Sequence, residues 1–393
     1  MNIITDTQTL REACERLAQA PYITVDTEFL REKTFWPILC LIQVAAPPPT
    51  GADEAGEEHI VDPLADGIDL RPFWDLMADE TVLKVFHAAR QDVEIVHHLA
   101  GIVPAPMFDT QVAAAVAGYG ESVGYGQLVA QTTKGRIDKT SQFTDWSRRP
   151  LSRKQLDYAM SDVTWLRDVY ERLRDELAAK GRTGWLDEEM TTLADPATYD
   201  VPPEDAWKRL KMRARKPREL EVLKHVARWR EEQARGRDVP RSRVLKDDAL
   251  YEIATQQPET RAELGELRAV PNGFENSRHA EGLLEAVADG LEMPDEDLPR
   301  LPKRRAPSDT VTSTVELLKV LLRITAERES VGARVIASSD DLAAIAASDE
   351  ADVPAMRGWR RKMFGERALA LKRGDIALGF DGRRAEVIEL EPE

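Results

Sequence analysis

Asp26 and Glu28 are the pair of residues best placed to do chemistry. They lie in Tyr22-Ile23-Thr24-Val25-Asp26-Thr27-Glu28-Phe29, whose alternation reads as a β-strand. Side chains two apart share a face, so the two carboxylates point one way while Val25, Thr27 and Phe29 point the other. Adjacent carboxylates repel each other unless positive charge offsets them, and hard cations such as Mg²⁺ and Mn²⁺ prefer carboxylate oxygens. An exposed edge strand with two hydrated acids is the plain alternative. A metal site therefore needs further carboxylates from elsewhere. Two candidates stand out. Asp92 lies where the apolar strand Val82–Phe86 gives way to a helix with Val93, Val96 and Leu99 on its apolar side. The macrodipole favours an acid there, and α/β sheets place their sites at strand ends, although a helix-start acid needs no function. Asp162 sits on a strong helix over 156–173, four residues after Tyr158 and so on the same face.

The elements that must position these groups can be read in order. Thr9-Leu10-Arg11-Glu12 has capping-box spacing and predicts a helix from Leu10 to about Ala18. The strand of Asp26 and Glu28 follows, then apolar Ile38–Val44, a Pro/Gly/acid-rich loop through Glu58, and a short strand at His59–Asp62 closed by Pro63. Three strands in succession suggest an antiparallel meander, with later strands alternating with helices in a mixed α/β sheet. Phe108-Asp109-Thr110-Gln111 opens an alanine-rich helix, and 119–126 is a glycine-punctuated turn. The polar loop 134–150 holds five basic residues, Lys139, Arg148 and Arg149 among them, together with Phe143 and Trp146. Cations interleaved with aromatics suit phosphates and unstacked bases; an ordinary surface loop with Trp146 turned inward is the alternative.

Composition bounds the rest. A chain of 393 residues is too long for one ordinary core. With 42% hydrophobic and 32% charged residues it reads as soluble and globular, with no membrane-spanning run and no signal-peptide layout at Met1–Thr7. Two cysteines, Cys14 and Cys40, provide neither a disulfide framework nor a zinc cluster, so a reducing cytoplasm is expected. A net charge of −16 argues against indiscriminate coating of nucleic acid but allows a local basic surface. Such a surface is present in the sequence: residues 208–246 carry fifteen Lys/Arg against five Asp/Glu. Leu220, Leu223, Val226 and Trp229 are the inward positions of that helical stretch. Residues 191–203 and 290–308 read as linkers. A faint repeat relates Arg243–Ala254 to Arg334–Ala346, which suggests two related all-helical modules.

A strand acid pair, a strand-end acid and a helix acid together resemble the ligand sets of two-metal phosphodiester enzymes. The likeness is more specific than that. Asp26-x-Glu28, His87-x4-Asp92 and Tyr158-x3-Asp162 resemble the three motifs of the DEDD 3′–5′ exonucleases. Asp157 stands where the histidine subgroup has its histidine, and Tyr158 stands at the tyrosine position of the tyrosine subgroup. The stretches Pro37–Gln43, Phe108–Thr110 and Asp145–Leu151 are similar to those of the ribonuclease D family. Trp229-Arg230-Glu231, Ala234-Arg235 and Pro240-Arg241 resemble the HRDC helical domain, and Gly358-Trp359-Arg360 does so more weakly.

The resemblance implies an α/β ribonuclease H-like exonuclease domain over 1–190, a linker over 191–203, and HRDC-like domains at 204–289 and 309–393 joined by 290–308. It implies that Asp26, Glu28, Asp92 and Asp162 hold two divalent cations, Mg²⁺ or Mn²⁺. Tyr158 would orient the attacking water rather than act as a base, since its ordinary pKa is near 10. It further implies RNA contacts from Phe29, His87, Gln91, Lys139, Trp146, Arg148, Arg149, Arg230, Arg235 and Arg241. The expected protein is a cytoplasmic monomer that takes nucleoside 5′-monophosphates from single-stranded RNA 3′ ends, tRNA precursors in particular, with no membrane partner. A DNA exonuclease and an inactive RNA-binding adaptor are the alternatives.

Overall fold

The computed structural model describes residues 3–48, 56–142, 144–211, 214–299, 301 and 309–390. Phe143, Arg213, most of the acidic 46–58 loop and the end of the 290–308 stretch lie outside the described residues, as does the side chain of Lys139.

The first unit is built on a mixed six-stranded sheet. Its elements are β1 (Ile3–Ile4), α1 (Thr7–Leu17), β2 (Tyr22–Leu30), β3 (Ile38–Ala45), β4 (Glu58–Val61), α2 (Arg71–Ala78), β5 (Leu83–Phe86), α3 (Arg90–Ala100), β6 (Met107–Asp109), α4 (Thr110–Ala117), α5 (Tyr125–Thr132), α6 (Arg153–Ala179) and α7 (Asp187–Ala194). The strand order is β1-β4-β3-β2-β5-β6. β3 runs antiparallel to both β2 and β4, which gives the expected meander, while β5 and β6 join parallel to β2. Alternation along the strands feeds two cores. Ile23, Val25, Ile42 and Val44 pack with α1, α2 and α3, whereas Leu41, Ala45 and Ile60 pack under Ala159, Met160 and Val163 of α6. Helices thus cover both faces, and α6 covers the face that carries Asp26 and Glu28.

Two boundaries differ from the sequence reading. α1 starts at Thr7, a turn before Leu10, because Asp6 and not Thr9 is the cap. Asp6 Oδ1 accepts from the Thr9 amide (2.9 Å) and Oδ2 from the Thr9 hydroxyl (2.8 Å). The stretch after 190 is not a bare tether, since Tyr199 is buried in the core of the first unit and its hydroxyl donates to the Leu193 carbonyl (2.7 Å).

A helical unit follows, with α8 (Pro217–Gly236), α9 (Arg241–Val244), α10 (Asp247–Gln256), α11 (Arg261–Gly265) and α12 (Ala280–Glu292). Leu220, Leu223, Val226 and Trp229 are buried, as their helical spacing predicts. Phe35 and Trp36, from the β2–β3 connection, pack into this core. The last unit comprises α13 (Asp309–Glu329), α14 (Ala333–Ile336), α15 (Ser339–Ala347), α16 (Gly358–Arg360) and α17 (Glu366–Arg373). To these helices it adds an antiparallel hairpin of β7 (Ile376–Phe380) and β8 (Ala385–Glu389), so the module is not all-helical as expected; Asp381-Gly382 between two alternating runs was the signal passed over. It docks on the first unit by stacking Trp359 on Trp185 (4.3 Å, 3°) and by seating buried Arg360 on Glu188 and Glu189.

Candidate active site

β2 presents Asp26 and Glu28 side by side, and α6 brings Asp162 to them. The helix is pinned around that residue: Thr24 Oγ1 donates to the Val163 carbonyl (2.9 Å) and the Tyr125 hydroxyl to the Ser161 carbonyl (3.0 Å). Beside Glu28 the register slips, from Glu28 opposite Leu41 to Phe29 opposite Leu39, so Cys40 is the extra residue of a β-bulge. Asp26, Glu28 and Asp162 each offer a carboxylate oxygen, and these oxygens lie within 4.8 Å of one another. Asp92, on the first turn of α3, stands beside this trio and not within it. Its Oδ1 accepts from Thr27 Oγ1 at 2.5 Å.

The electrostatics follow from burial. Desolvation, then Asp162 and Asp92, push the Glu28 carboxyl up to about 9. Desolvation, followed by the charges of Asp162, Asp92 and Glu28, holds Asp26 well above the usual carboxylate range. Burial also raises Asp92, to about 7, even though the Thr27 hydrogen bond opposes the shift. Buried acids that raise one another are a site short of positive charge. All the donors are hard oxygens, so the residues fit a divalent metal ion of the Mg²⁺ or Mn²⁺ type.

Tyr158 lies one turn before Asp162 and hydrogen-bonds it, with its phenol pushed up by burial and by the Asp162, Glu28 and Asp26 charges. The phenol therefore keeps its proton and serves as a donor. Trp146 supports it from beneath, with rings 6.1 Å apart at 29°. Here the structure corrects the expected RNA contact. Trp146 is 2% exposed, packed among Cys40, Leu41, Met160 and Val163, because the 134–150 loop folds its aromatic inward. Arg149 fastens that loop. Its guanidinium holds both Asp62 oxygens (2.6 Å each), the bulged Cys40 carbonyl (2.8 Å) and the Trp146 carbonyl (2.7 Å), so it is occupied structurally. Arg148 remains exposed and, among the described residues, pairs with Asp145 alone.

At the second motif, Gln91 is exposed and His87 half-buried, its Nδ1 lying 3.0 Å from Thr110 Oγ1; Phe29 is half-buried against the core. Asp109 is a residue whose weight the sequence reading missed. Its buried carboxylate accepts from the amides of Ala88 (3.0 Å), Ala89 (2.9 Å) and Gln111 (2.7 Å), capping α4 and fastening the turn that leads into α3. An aspartate just before a helix was the available signal; that it also fastens the turn into the helix of Asp92 is a tertiary fact.

The helical cations divide into two groups. Arg230, Arg235 and Arg241 were expected to meet RNA, but they are committed internally. Arg230 is buried and donates to the Leu245 carbonyl (3.0 Å) and Asp247 (2.7 Å). Arg235 and Arg241 both pair with buried Glu231, and Arg241 lies over the Phe35 ring (4.4 Å). Arg243, Lys246 and Arg268 are different: they line a groove of about 390 Å³ with Ser242 and Asn272 and make no ion pair among the described residues.

Two acids on the central strand β2, a third from α6 with a tyrosine one turn away, and Asp92 of α3 beside them are the groups of a 3′–5′ exonuclease, and residues 1–178 match that family. Residues 219–287 match the HRDC domain. Ribonuclease D of Nitrobacter hamburgensis is 54% identical over 389 residues, covering 99% of this chain and 100% of that one. Ribonuclease D of Bartonella henselae is 45% identical over 377 residues, 96% of this chain and 91% of its own. The crystal structure of Escherichia coli RNase D, described as an exoribonuclease involved in structured RNA processing, aligns with a TM-score of 0.80. The identity is 28% over 95% of this chain and 99% of that one. The chain belongs to the ribonuclease D family, and its activity is that of a 3′–5′ exoribonuclease.

Proposed function

We propose that the chain shortens the single-stranded 3′ tails of small structured RNAs, tRNA precursors foremost, releasing nucleoside 5′-monophosphates one at a time. Two Mg²⁺ or Mn²⁺ ions would be held by Asp26, Glu28, Asp92 and Asp162. The observation that carries this reading is the convergence of the Asp26, Glu28 and Asp162 oxygens beside the Tyr158 hydroxyl. When bound, divalent cations offset phosphodiester charge and lower the pKa of the attacking water. Tyr158, braced by Trp146 and hydrogen-bonded to Asp162, directs that water in line with the scissile bond. Water oxygen joins phosphorus as the water gives up a proton to solvent, the bond to the preceding 3′ oxygen breaks, and that oxygen takes up a solvent proton as it leaves. Arg148, Gln91, His87, Phe29 and Lys139 are the candidate contacts to the incoming strand. The groove of Arg243, Lys246 and Arg268 supplies phosphate contacts to the body of the RNA.

We place the protein in the cytoplasm as a monomer. Both cysteines are free and buried, and no helix among the described residues is long and apolar enough to cross a membrane. The test is degradation of a tailed tRNA and a DNA oligonucleotide of equal length with Mg²⁺, Mn²⁺ or EDTA. Monophosphate release from the RNA tail with either cation, and none with EDTA, is expected. Faster release from DNA would give the substrate to the DNA reading.

A further inference from the structure

On β2, side-chain alternation turns Thr27 away from Asp26 and Glu28, toward the face packed by α1, α2 and α3. A threonine there would ordinarily serve as a β-branched packing residue. Thr27 instead points its hydroxyl at Asp92, with Oγ1 to Oδ1 at 2.5 Å and both residues 7% exposed. The bond ties the middle of the Asp-Thr-Glu triplet to the first turn of α3, across 65 residues of sequence. The backbone around Asp92 is fixed separately by the Asp109 bonds to the Ala88 and Ala89 amides, and Arg31 holds Glu94, two residues on, by two bonds of 2.7 Å. Those contacts act on the backbone and on Glu94, whereas the Thr27 hydroxyl bonds the Asp92 carboxyl group itself, alongside backbone amides of Thr27 and Asp92.

We propose that Thr27 is a positioning residue for the metal site, holding Asp92 Oδ1 so that the Asp92 carboxylate is presented to the cations beside the Asp26, Glu28 and Asp162 trio. The inference rests on the metal reading above. A carboxylate whose outer oxygen is hydrogen-bonded binds with less loss of rotational freedom, and removing such a partner typically weakens metal affinity by about 10–100-fold. A hydroxyl that only fills space on the core face would have no such effect.

The experiment is titration of the full-length, metal-stripped chain with Mn²⁺ in the absence of RNA, followed by calorimetry or by the free-Mn²⁺ electron paramagnetic resonance signal. Thr27→Val, nearly isosteric but without the hydroxyl, is expected to weaken Mn²⁺ binding by about tenfold or more, and Thr27→Ser to restore most of it. Thr27→Ala is read in the same way should the valine variant not fold. Asp26→Asn runs alongside. If Asp26→Asn abolishes binding while Thr27→Val stays within about twofold of wild type, the Thr27 role is overturned and the site stands. If neither variant shifts binding, the metal assignment falls with it. Weakening in Thr27→Val that Thr27→Ser does not relieve would also overturn the proposal, because shape rather than the hydroxyl would then be at work.

Discussion

Asp238 Oδ1 accepts hydrogen bonds from two successive backbone amides of the nuclease unit, Phe35 (3.0 Å) and Trp36 (3.1 Å). The acceptor belongs to the helical unit, just past α8; the donors lie in the connection leaving the strand of Asp26 and Glu28. Phe35 is buried in the helical core and Trp36 stacks on His98 (4.0 Å, 9°). The helical unit is thereby built onto the catalytic strand's own connection.

Ending the chain near Leu193 would bare Phe35 and strip Trp36 of its apolar partners. The truncated protein is expected to aggregate or lose activity even on short unstructured RNA. In the full chain, Phe35→Ala should cost roughly 3–5 kcal/mol, the usual penalty for emptying a buried phenylalanine site. Denaturant unfolding and turnover of a short oligoribonucleotide check both expectations. A truncated chain of undiminished activity on short RNA would show the units to be independent.

Tyr158→Phe keeps the ring on Trp146 and removes only the hydroxyl. Loss of one aligned donor typically costs about 10²–10³ in rate, so kcat should fall strongly while Mn²⁺ affinity changes little.

Trp146→Leu separates support from RNA contact. If the indole only braces Tyr158, kcat drops and the protein loses stability while KM for RNA stays level. A raised KM with unchanged kcat would return Trp146 to the RNA surface.

The acidic cluster sets a pH dependence whose sign is definite. In the folded chain without cations, Asp92 and Glu28 are raised to about 7 and about 9, and Asp26 is also raised. Unfolded, these carboxyls titrate near 4. Between those values the native state holds more protons than the unfolded one, so stability falls as pH rises. Tm measured in EDTA should therefore decline from pH 5 to 9. Saturating Mg²⁺ should flatten the slope by replacing the protons, and Asp26→Asn should flatten it without metal.

Removing the unpaired cations tests the groove. Exchanging Arg243, Lys246 and Arg268 for glutamine should weaken tRNA binding and make its salt dependence shallower, by about 0.7 in log–log slope for each single-strand phosphate no longer neutralised. The same exchange at Arg230 should instead destabilise the helical unit, because Arg230 is buried on Leu245 and Asp247. Equal salt slopes for the triple variant and wild type would remove the groove from substrate binding.

Much of this was legible in the sequence because it is local. Two-residue periodicity put Asp26 and Glu28 on one face, 3.6-residue periodicity put Tyr158 and Asp162 on one face, and strand-to-helix punctuation placed Asp92. Helical spacing alone sent Leu220, Leu223, Val226 and Trp229 inward. The roles of the cations and of Trp146 were not legible, because an arginine's function depends on which acid or carbonyl folds against it. Arg149 meets Asp62 across 87 residues, and Arg235 and Arg241 meet Glu231 and a phenylalanine from another unit. Only the tertiary structure could turn Arg230, Arg235 and Arg241 into internal clamps and set Arg243 and Lys246 along a groove with Arg268. The same holds for Thr27, which alternation sets on the core face and which the packing of α3 brings to the hydroxyl's partner, Asp92.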